Sequence, residues 1–245
     1  MFGVNPVLEA LRARPDEVES LLVAEGHLAR GTAAELFSRA RDAGVKIQRV
    51  PRERLSALSD GGIHQGVVAE VRSFAYAELD DLLERAAAAG QPPLLVMLDG
   101  IQDPQNLGAI IRSAYALGAH GVIIPKDRAA PVTGAVARAS AGAIEHCPVA
   151  RVINVSRALE DLKKAGLWIA AADPAGTQEL HDARLDGPLV LVIGAEGEGV
   201  RKGVLEHCDF RLRIPMVGQV ASLNASVSAG ILLYEVARQR SERSP

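Results

Sequence analysis

The sequence predicts an α/β protein in two parts: a small mixed α/β domain over residues 1–73, a linker over 74–91, and a parallel-sheet domain over 92–245. Three observations lead there. Short apolar runs without polar alternation recur in the second half: Leu94-Leu-Val-Met-Leu98, Gly121-Val-Ile-Ile124, Trp168-Ile-Ala-Ala171 and Leu189-Val-Leu-Val-Ile193. Strands apolar on both faces and separated by helical patterns form a parallel sheet covered on both sides. The first 71 residues instead alternate short helical and strand patterns, as a compact small domain does. An Ala-, Glu- and Asp-rich stretch ending at Pro92-Pro93 marks the boundary between the two.

In order, residues 3–13 read as a helix, with Asn5 as cap, Pro6 at the first helical position and Val7, Leu8 and Leu11 at helical spacing. Residues 18–24 suit a strand. Residues 32–43 carry Ala34, Leu36, Phe37 and Ala40 on a helix ended by Gly44. Val45-Lys-Ile-Gln-Arg-Val50 alternates like a half-buried strand, 52–58 is a short helix and 67–71 another strand. The linker reads as partly helical over 79–89. Between the apolar runs of the second half, helical patterns cover 107–117, 132–143, 155–165 and 200–208. A last strand ends near Ile214. A Gly218–Gln219 turn then leads to a final helix beginning at Ser222, Leu223 and Asn224, where Ser and Asn cap unpaired N–H groups. That helix places Ser222, Ser226 and Gly230 in one row and Ala221, Ala225 and Ala229 in the next. Such rows mean either tight core packing or a close approach by a ligand loop or second subunit.

Composition is globular, with 48% hydrophobic and 23% charged residues. No apolar run approaches the roughly 18 residues of a membrane span, and Met1-Phe-Gly-Val-Asn-Pro6 lacks the start of a signal peptide. Cys147 and Cys208 are far apart and form no metal-binding spacing. The expectation is a soluble cytoplasmic protein with no bound metal and no membrane partner. A net charge of -3 argues against indiscriminate nucleic-acid binding. Residues 39–54, however, hold six basic side chains against Asp42 and Glu53, a patch that suits phosphates or simply solvent. Gly61-Gly-Ile-His-Gln-Gly66 is a loop whose glycines allow close backbone approach, and its His64 reads as a surface residue.

Three strand-end loops carry chemistry, since ligands in such sheets sit beyond the carboxyl ends of the strands. Asp99-Gly-Ile-Gln-Asp-Pro-Gln-Asn-Leu-Gly-Ala-Ile-Ile-Arg112 leaves Asn106 and Arg112 off the buried stripe. Six helical residues span about 240°, so these two share a site only if Asn106 stands at or before the helix start. Otherwise Asn106 is a cap and Arg112 a solvent residue. Gly194-Ala-Glu-Gly-Glu-Gly199 has neither the dinucleotide spacing nor the Lys-Ser/Thr of a phosphate loop, and its two carboxylates favour a ligand with hydroxyls or a positive centre. The third loop runs from Ile214 into the final helix.

Taken in order, Asn106 and Arg112, Glu196 within Gly-Ala-Glu-Gly, and Ile214-Pro-Met with Ser222-Leu-Asn-Ala-Ser226 resemble the three motifs of the SpoU (TrmH-type) RNA 2′-O-ribose methyltransferases. Gly3-x-Asn-Pro-Val-x-Glu-Ala-Leu11 and Gly62-Ile-His-Gln-Gly66 are similar to the substrate-binding domain of the bacterial 23S rRNA guanosine-2′-O-methyltransferases in that family. The resemblance covers nearly the whole chain. It implies an L30e-like RNA-binding domain followed by a SPOUT-class catalytic domain whose C-terminal segment threads a trefoil knot and pairs into a homodimer. It implies S-adenosyl-L-methionine held by Gly194, Ile214 and Leu223, and a catalytic set of Asn106, Arg112, Glu196, Ser222 and Asn224, with Ser226 a further contact. The reaction implied is methyl transfer to a ribose 2′-OH of a guanosine in 23S rRNA. The same enzyme class acting on tRNA, and a non-catalytic RNA-binding assembly factor, are the alternatives.

Overall fold

Leu21 and Leu22 point to opposite faces of one strand, and this gives the N-terminal unit two small cores. The computed structural model describes residues 1–13, 15–26, 31–71, 74–218 and 222–242. The unit contains α1 (Val4–Ala13), β1 (Val18–Ala24), α2 (Thr32–Asp42), β2 (Lys46–Val50), α3 (Arg52–Leu58) and β3 (Val67–Val71). Its sheet order is β2-β1-β3, with β2 parallel and β3 antiparallel to β1. Leu21 and Val23 pack with Val7, Leu11, Leu36 and Ala40, while Leu22 packs with Val50, Leu55 and Val68. β2 departs from the expected half-buried alternation: only Val50 is buried, because β2 is an edge strand with one neighbour. All six cations of residues 39–54 are exposed.

The stretch expected as a linker is built into the second unit, which begins at Tyr76. α4 (Leu79–Ala88) starts with a capping box between Glu78 and Asp81 and buries Leu82 and Ala86. Leu82 packs with Leu95 and Ile123. A Cβ on Gly121 would sit 2.5 Å from Leu82 Cδ2, so the glycine makes room for the helix. β4 (Leu94–Asp99), α5 (Pro104–Ala116) and β5 (Gly121–Pro125) follow.

The expected helix over 132–143 is interrupted. α6 (Gly134–Ala139) stops where Ala141 (φ 50) and Gly142 (φ 89) turn left-handed, and a 3₁₀ turn, Ala143–Glu145, follows. Residues 132–146 group with the N-terminal unit rather than with the sheet. There His146 Nε2 lies 3.0 Å from Glu9 Oε2 of α1, and a Cβ on Gly142 would meet Glu9 Cγ at 2.4 Å. The block over 92–245 is therefore not continuous in space.

The chain then forms β6 (Val149–Val152), α7 (Val155–Lys164), β7 (Trp168–Ala172), β8 (Gln178–Glu179), β9 (Leu189–Gly194), α8 (Lys202–Leu205), β10 (Phe210–Arg213) and α9 (Ala225–Ser241). The seven strands pair in parallel in the order β6-β5-β4-β9-β7-β10-β8. β6 and β8 escape the sequence pattern because four and two residues are too few to show a period. β4 and β9 are central and buried along their whole length, so their carboxyl ends present loops over the middle of the sheet. α9 packs on α5, burying Ala225, Ala229, Leu232 and Leu233. Ala225 and Ala229 are thus packing residues. Among the described residues no helix is long and apolar enough to cross a membrane.

Candidate active site

Asp99 ends β4 opposite Gly194, which ends β9. Although only 1% exposed, the Asp99 carboxylate accepts from the Arg201 backbone N–H at 2.9 Å and from its Nε at 2.8 Å. That pair clamps the far end of the Gly194–Gly199 loop to the neighbouring strand, and the hydrogen bond holds the Arg201 guanidinium above its usual pKa. Within the loop each glycine has a separate reason. A Cβ on Gly194 would lie 2.0 Å from the Gly199 carbonyl carbon, so no larger residue fits. Gly197 (φ 82) and Gly199 (φ 68) adopt the left-handed conformation. Gly199 N–H closes the loop onto Ala195 O at 2.8 Å.

The loop borders a cavity of about 590 Å³, within the range of small-molecule and cofactor sites. Gly194, Ile214 and Leu223, the expected cofactor contacts, all line it, as do Glu196 and Ser222. Ile193, Val200 and Leu205 give it apolar walls. Its charged lining is mainly acidic: Asp173, Glu179, Glu196 and Glu198, against Arg213, which pairs with Glu179. Such a lining suits a ligand with a positive centre, hydroxyls and an apolar body, and opposes phosphates. Backbone groups, apolar walls and carboxylates fit S-adenosylmethionine, whose sulfonium is cationic.

Asn224 links the loops. It is the N-cap of α9, its Oδ1 accepting from Ser226 N at 2.9 Å, Val227 N at 3.4 Å and Ser226 Oγ at 2.6 Å. The helix therefore begins one residue beyond Asn224, and Ser222 and Leu223 precede it instead of opening it. With its oxygen occupied by the cap, the Nδ2 donates to Asn106 Oδ1 and to Glu196 Oε2, each at 3.0 Å. One side chain thus ties three strand-end loops together. Gln219 and Ala221, singled out in the sequence, lie outside the described residues.

Arg112 stands apart. Asp103 caps α5 by accepting from Gln105 N at 3.0 Å and Asn106 N at 3.3 Å, and Pro104 takes the first helical position. The helix so begins three residues earlier than the apolar stripe suggested, and Asn106 is inside its first turn. Arg112 is then on another face of α5, exposed and absent from the cavity lining. It has no hydrogen-bond or ion-pair partner among the described residues. Sequence reasoning missed the Asp99–Arg201 clamp, although an Asp closing an otherwise apolar run was a visible signal.

In the N-terminal unit, His64 is not the surface residue expected but 5% exposed. Its Nδ1 accepts from Gly66 N–H at 3.1 Å and its Nε2 lies 3.3 Å from Ser56 Oγ. Burial, and secondarily the charge of Arg52, holds its pKa below the usual value. Gln65, itself left-handed at φ 50, accepts from Val4 N at 2.9 Å and so satisfies the start of α1. Both side chains of the loop serve its own architecture, leaving Ile63 outward at 77% exposure.

Residues 93–234 match the SpoU rRNA Methylase family, and residues 1–77 match the RNA 2′-O ribose methyltransferase substrate binding family. A Bacillus subtilis protein named as a TrmH family tRNA/rRNA methyltransferase, YacO, is 46% identical over 240 residues, covering 98% of this chain and 95% of its own. A Mycolicibacterium smegmatis protein named as an uncharacterized tRNA/rRNA methyltransferase is 48% identical over 240 residues, with coverages of 98% and 76%. Among solved structures, the SpoU methyltransferase AviRb of Streptomyces viridochromogenes, in complex with AdoMet, superposes with a TM-score of 0.84 at 30% identity, covering 98% of this chain and 89% of that one. The chain belongs to the SpoU/TrmH family of RNA methyltransferases.

Proposed function

We propose that this methyltransferase modifies the ribose 2′-OH of a guanosine in 23S rRNA, working as a homodimer with a knotted C-terminal segment. The observation that carries the site assignment is the hydrogen-bonded chain Asn106–Asn224–Glu196, which reaches the cavity through Glu196. Gly194, Ile214 and Leu223 are assigned to S-adenosylmethionine, which when bound supplies an electrophilic methyl group. A ribose hydroxyl is a poor nucleophile, so the protein's task is to align it and to polarise its O–H bond. Glu196 keeps one oxygen on Asn224 and has the other available to accept from the ribose. Ser222 lines the cavity and Asn106 anchors the far end of the bridge, with Ser226 holding Asn224 in place. Arg112 is assigned to a substrate phosphate, since a guanidinium stays protonated and serves as a bidentate clamp.

The homodimer is supported by the outer face of α5 and α9. Val227 and Tyr234 lie seven residues apart on one side of α9 and are 49% and 62% exposed; Tyr115 on α5 is 45% exposed. Arg112 neighbours Tyr115 at helical spacing. A second copy covering this face would bury these exposed side chains and place Arg112, beside Tyr115, in the interface. An RNA substrate is supported by the N-terminal match to the RNA 2′-O ribose methyltransferase substrate binding family. The test is incubation with labelled S-adenosylmethionine and separated rRNA and tRNA, followed by mass spectrometry of the methylated nucleoside. A 2′-O-methylguanosine in 23S rRNA is the expected product. Methylation of tRNA alone would replace the target, and methylation of a base would overturn the ribose assignment.

A further inference from the structure

The carboxyl edge of the large sheet is electrically divided. Around the cavity, Arg201, Arg211 and Arg213 are each neutralised by a carboxylate: Asp99, Asp173 and Glu179. Lys202, at the start of α8, is the exception there. On the other side, beyond β5, the loop Lys126-Asp-Arg128 is exposed. Neither Lys126 nor Arg128 has an ion-pair partner among the described residues, and Asp127 is the one carboxylate between them. Arg128 has φ 58, a conformation an L side chain rarely adopts. Strained backbone of this kind clusters where a side chain has a task.

The loop is held in place. Arg151, on β6, donates from Nη2 to Lys126 O at 3.1 Å while its guanidinium lies 4.7 Å from the centre of the Tyr76 ring. Lys126 N–H donates to Val152 O at 2.7 Å, and Ala130 N–H donates to Ile101 O at 2.9 Å, tying the loop's far end to the segment after β4. The β4–β5 pairing runs as far as Met97 and Ile123, beyond which Asp99 pairs with Gly194 on β9 and Pro125 with Val152 on β6. Lys126 therefore leaves the sheet two strands from Gly194, roughly 10 Å away at ordinary strand spacing. That is within the span of a few nucleotides.

We infer that the RNA strand carrying the target ribose runs from the cavity mouth over the ends of β4 and β5, its phosphates held by Lys126 and Arg128. Arg151 is a positioning residue that braces the loop. The acidic cavity repels the same phosphates, so the division of charge also fixes which side of the sheet the strand occupies. The inference rests on the RNA-methyltransferase reading above, and the experiment separates the two. Lys126→Ala/Arg128→Gly is made in the full chain, glycine being chosen because it keeps the left-handed backbone. Binding is measured against salt concentration on an RNA that the wild-type protein methylates, with S-adenosylmethionine affinity measured alongside. The expected result is an unchanged S-adenosylmethionine affinity, RNA binding weaker by roughly tenfold, and a log–log salt slope smaller by about 0.7 per lost single-strand phosphate contact. Lys202→Ala leaves both unchanged, and Arg128→Lys keeps most of the binding. Wild-type RNA affinity and slope in the double variant would overturn the inference while leaving the enzyme reading intact. A wild-type protein that methylates no RNA would instead overturn the enzyme reading, and this inference with it.

Discussion

Asn224 performs two separable tasks, and a pair of substitutions distinguishes them. Its oxygen caps α9 and its amide joins Asn106 to Glu196. Asn224→Ala removes both. Loss of the cap costs about 1 kcal/mol, and the two further side-chain bonds, both partly solvated, add about 1 kcal/mol together. The combined loss lowers the melting temperature of a unit this size by about 4–8 °C. Asn224→Ser retains the cap, since serine caps nearly as well as asparagine, but is too short to reach Asn106 and Glu196. It is expected to melt within about 2–4 °C of wild type. Its turnover falls by roughly 100-fold, the effect of displacing a positioned group by about an ångström. Methyl transfer under single-turnover conditions, paired with calorimetric S-adenosylmethionine affinity, reads the two tasks separately. If Asn224→Ser turned over at the wild-type rate, the bridge would be only a helix cap and the site assignment built on it would fail.

Gly194→Ala forces a Cβ into the Gly199 backbone; isothermal titration should show S-adenosylmethionine affinity reduced at least tenfold, with the N-terminal unit unaffected by hydrogen exchange. Arg201→Ala leaves the buried Asp99 carboxylate with the backbone N–H alone; a loss of roughly 2–3 kcal/mol in urea unfolding of the sheet unit is expected. His64 has a folded-state pKa below the 6.5 of a free imidazole, so the unfolded chain takes up its proton first and stability falls as pH drops below that value. His64→Asn keeps an acceptor for Gly66 without titrating, and thermal melts should show a flatter acid limb for the N-terminal transition. Mixing Arg112→Ala with Glu196→Gln protein should restore up to about a quarter of wild-type activity if each copy lends its arginine to the other, whereas no recovery would place the whole site within one chain.

The continuous apolar runs revealed the buried strands because a strand flanked by two neighbours in a covered sheet must be apolar on both faces. Leu94–Leu98 and Leu189–Ile193 satisfy that and were readable. The stretch Val45-Lys-Ile-Gln-Arg-Val50 reads as half-buried because Val45 and Ile47 alternate with polar residues, yet periodicity carries no information on whether a strand has one neighbour or two. The sequence marks a compositional break ending at Pro92-Pro93, but nothing in it marks 132–146, where ordinary helical residues pack on α1 through Glu9 and His146. Asn106, Glu196 and Asn224 were legible as residues, but their meeting depends on bonds between positions 28 and 118 residues apart. Arg112 shows the limit most clearly. Helical geometry said it could share a face with Asn106 only if the helix began late, and the Asp103 cap made it begin early.

The net charge of -3 and an RNA substrate are reconciled by segregation rather than by excess. Binding to phosphates depends on local potential within about a Debye length, some 8–10 Å at physiological salt, not on the whole-chain sum. The acidic cavity is useful for a cationic sulfonium donor, whereas the same carboxylates beside an RNA strand would oppose binding. Keeping Lys126 and Arg128 unpaired on one end of the sheet, and pairing Arg201, Arg211 and Arg213 on the other, satisfies both demands with few charges. Inverting that arrangement is costly in a definite way: a cation freed beside the cavity by Asp173→Asn would draw phosphate toward the donor's place. Such a variant should bind RNA at least as well as wild type while losing affinity for S-adenosylmethionine, a reciprocal change that uniform loss of folding cannot imitate.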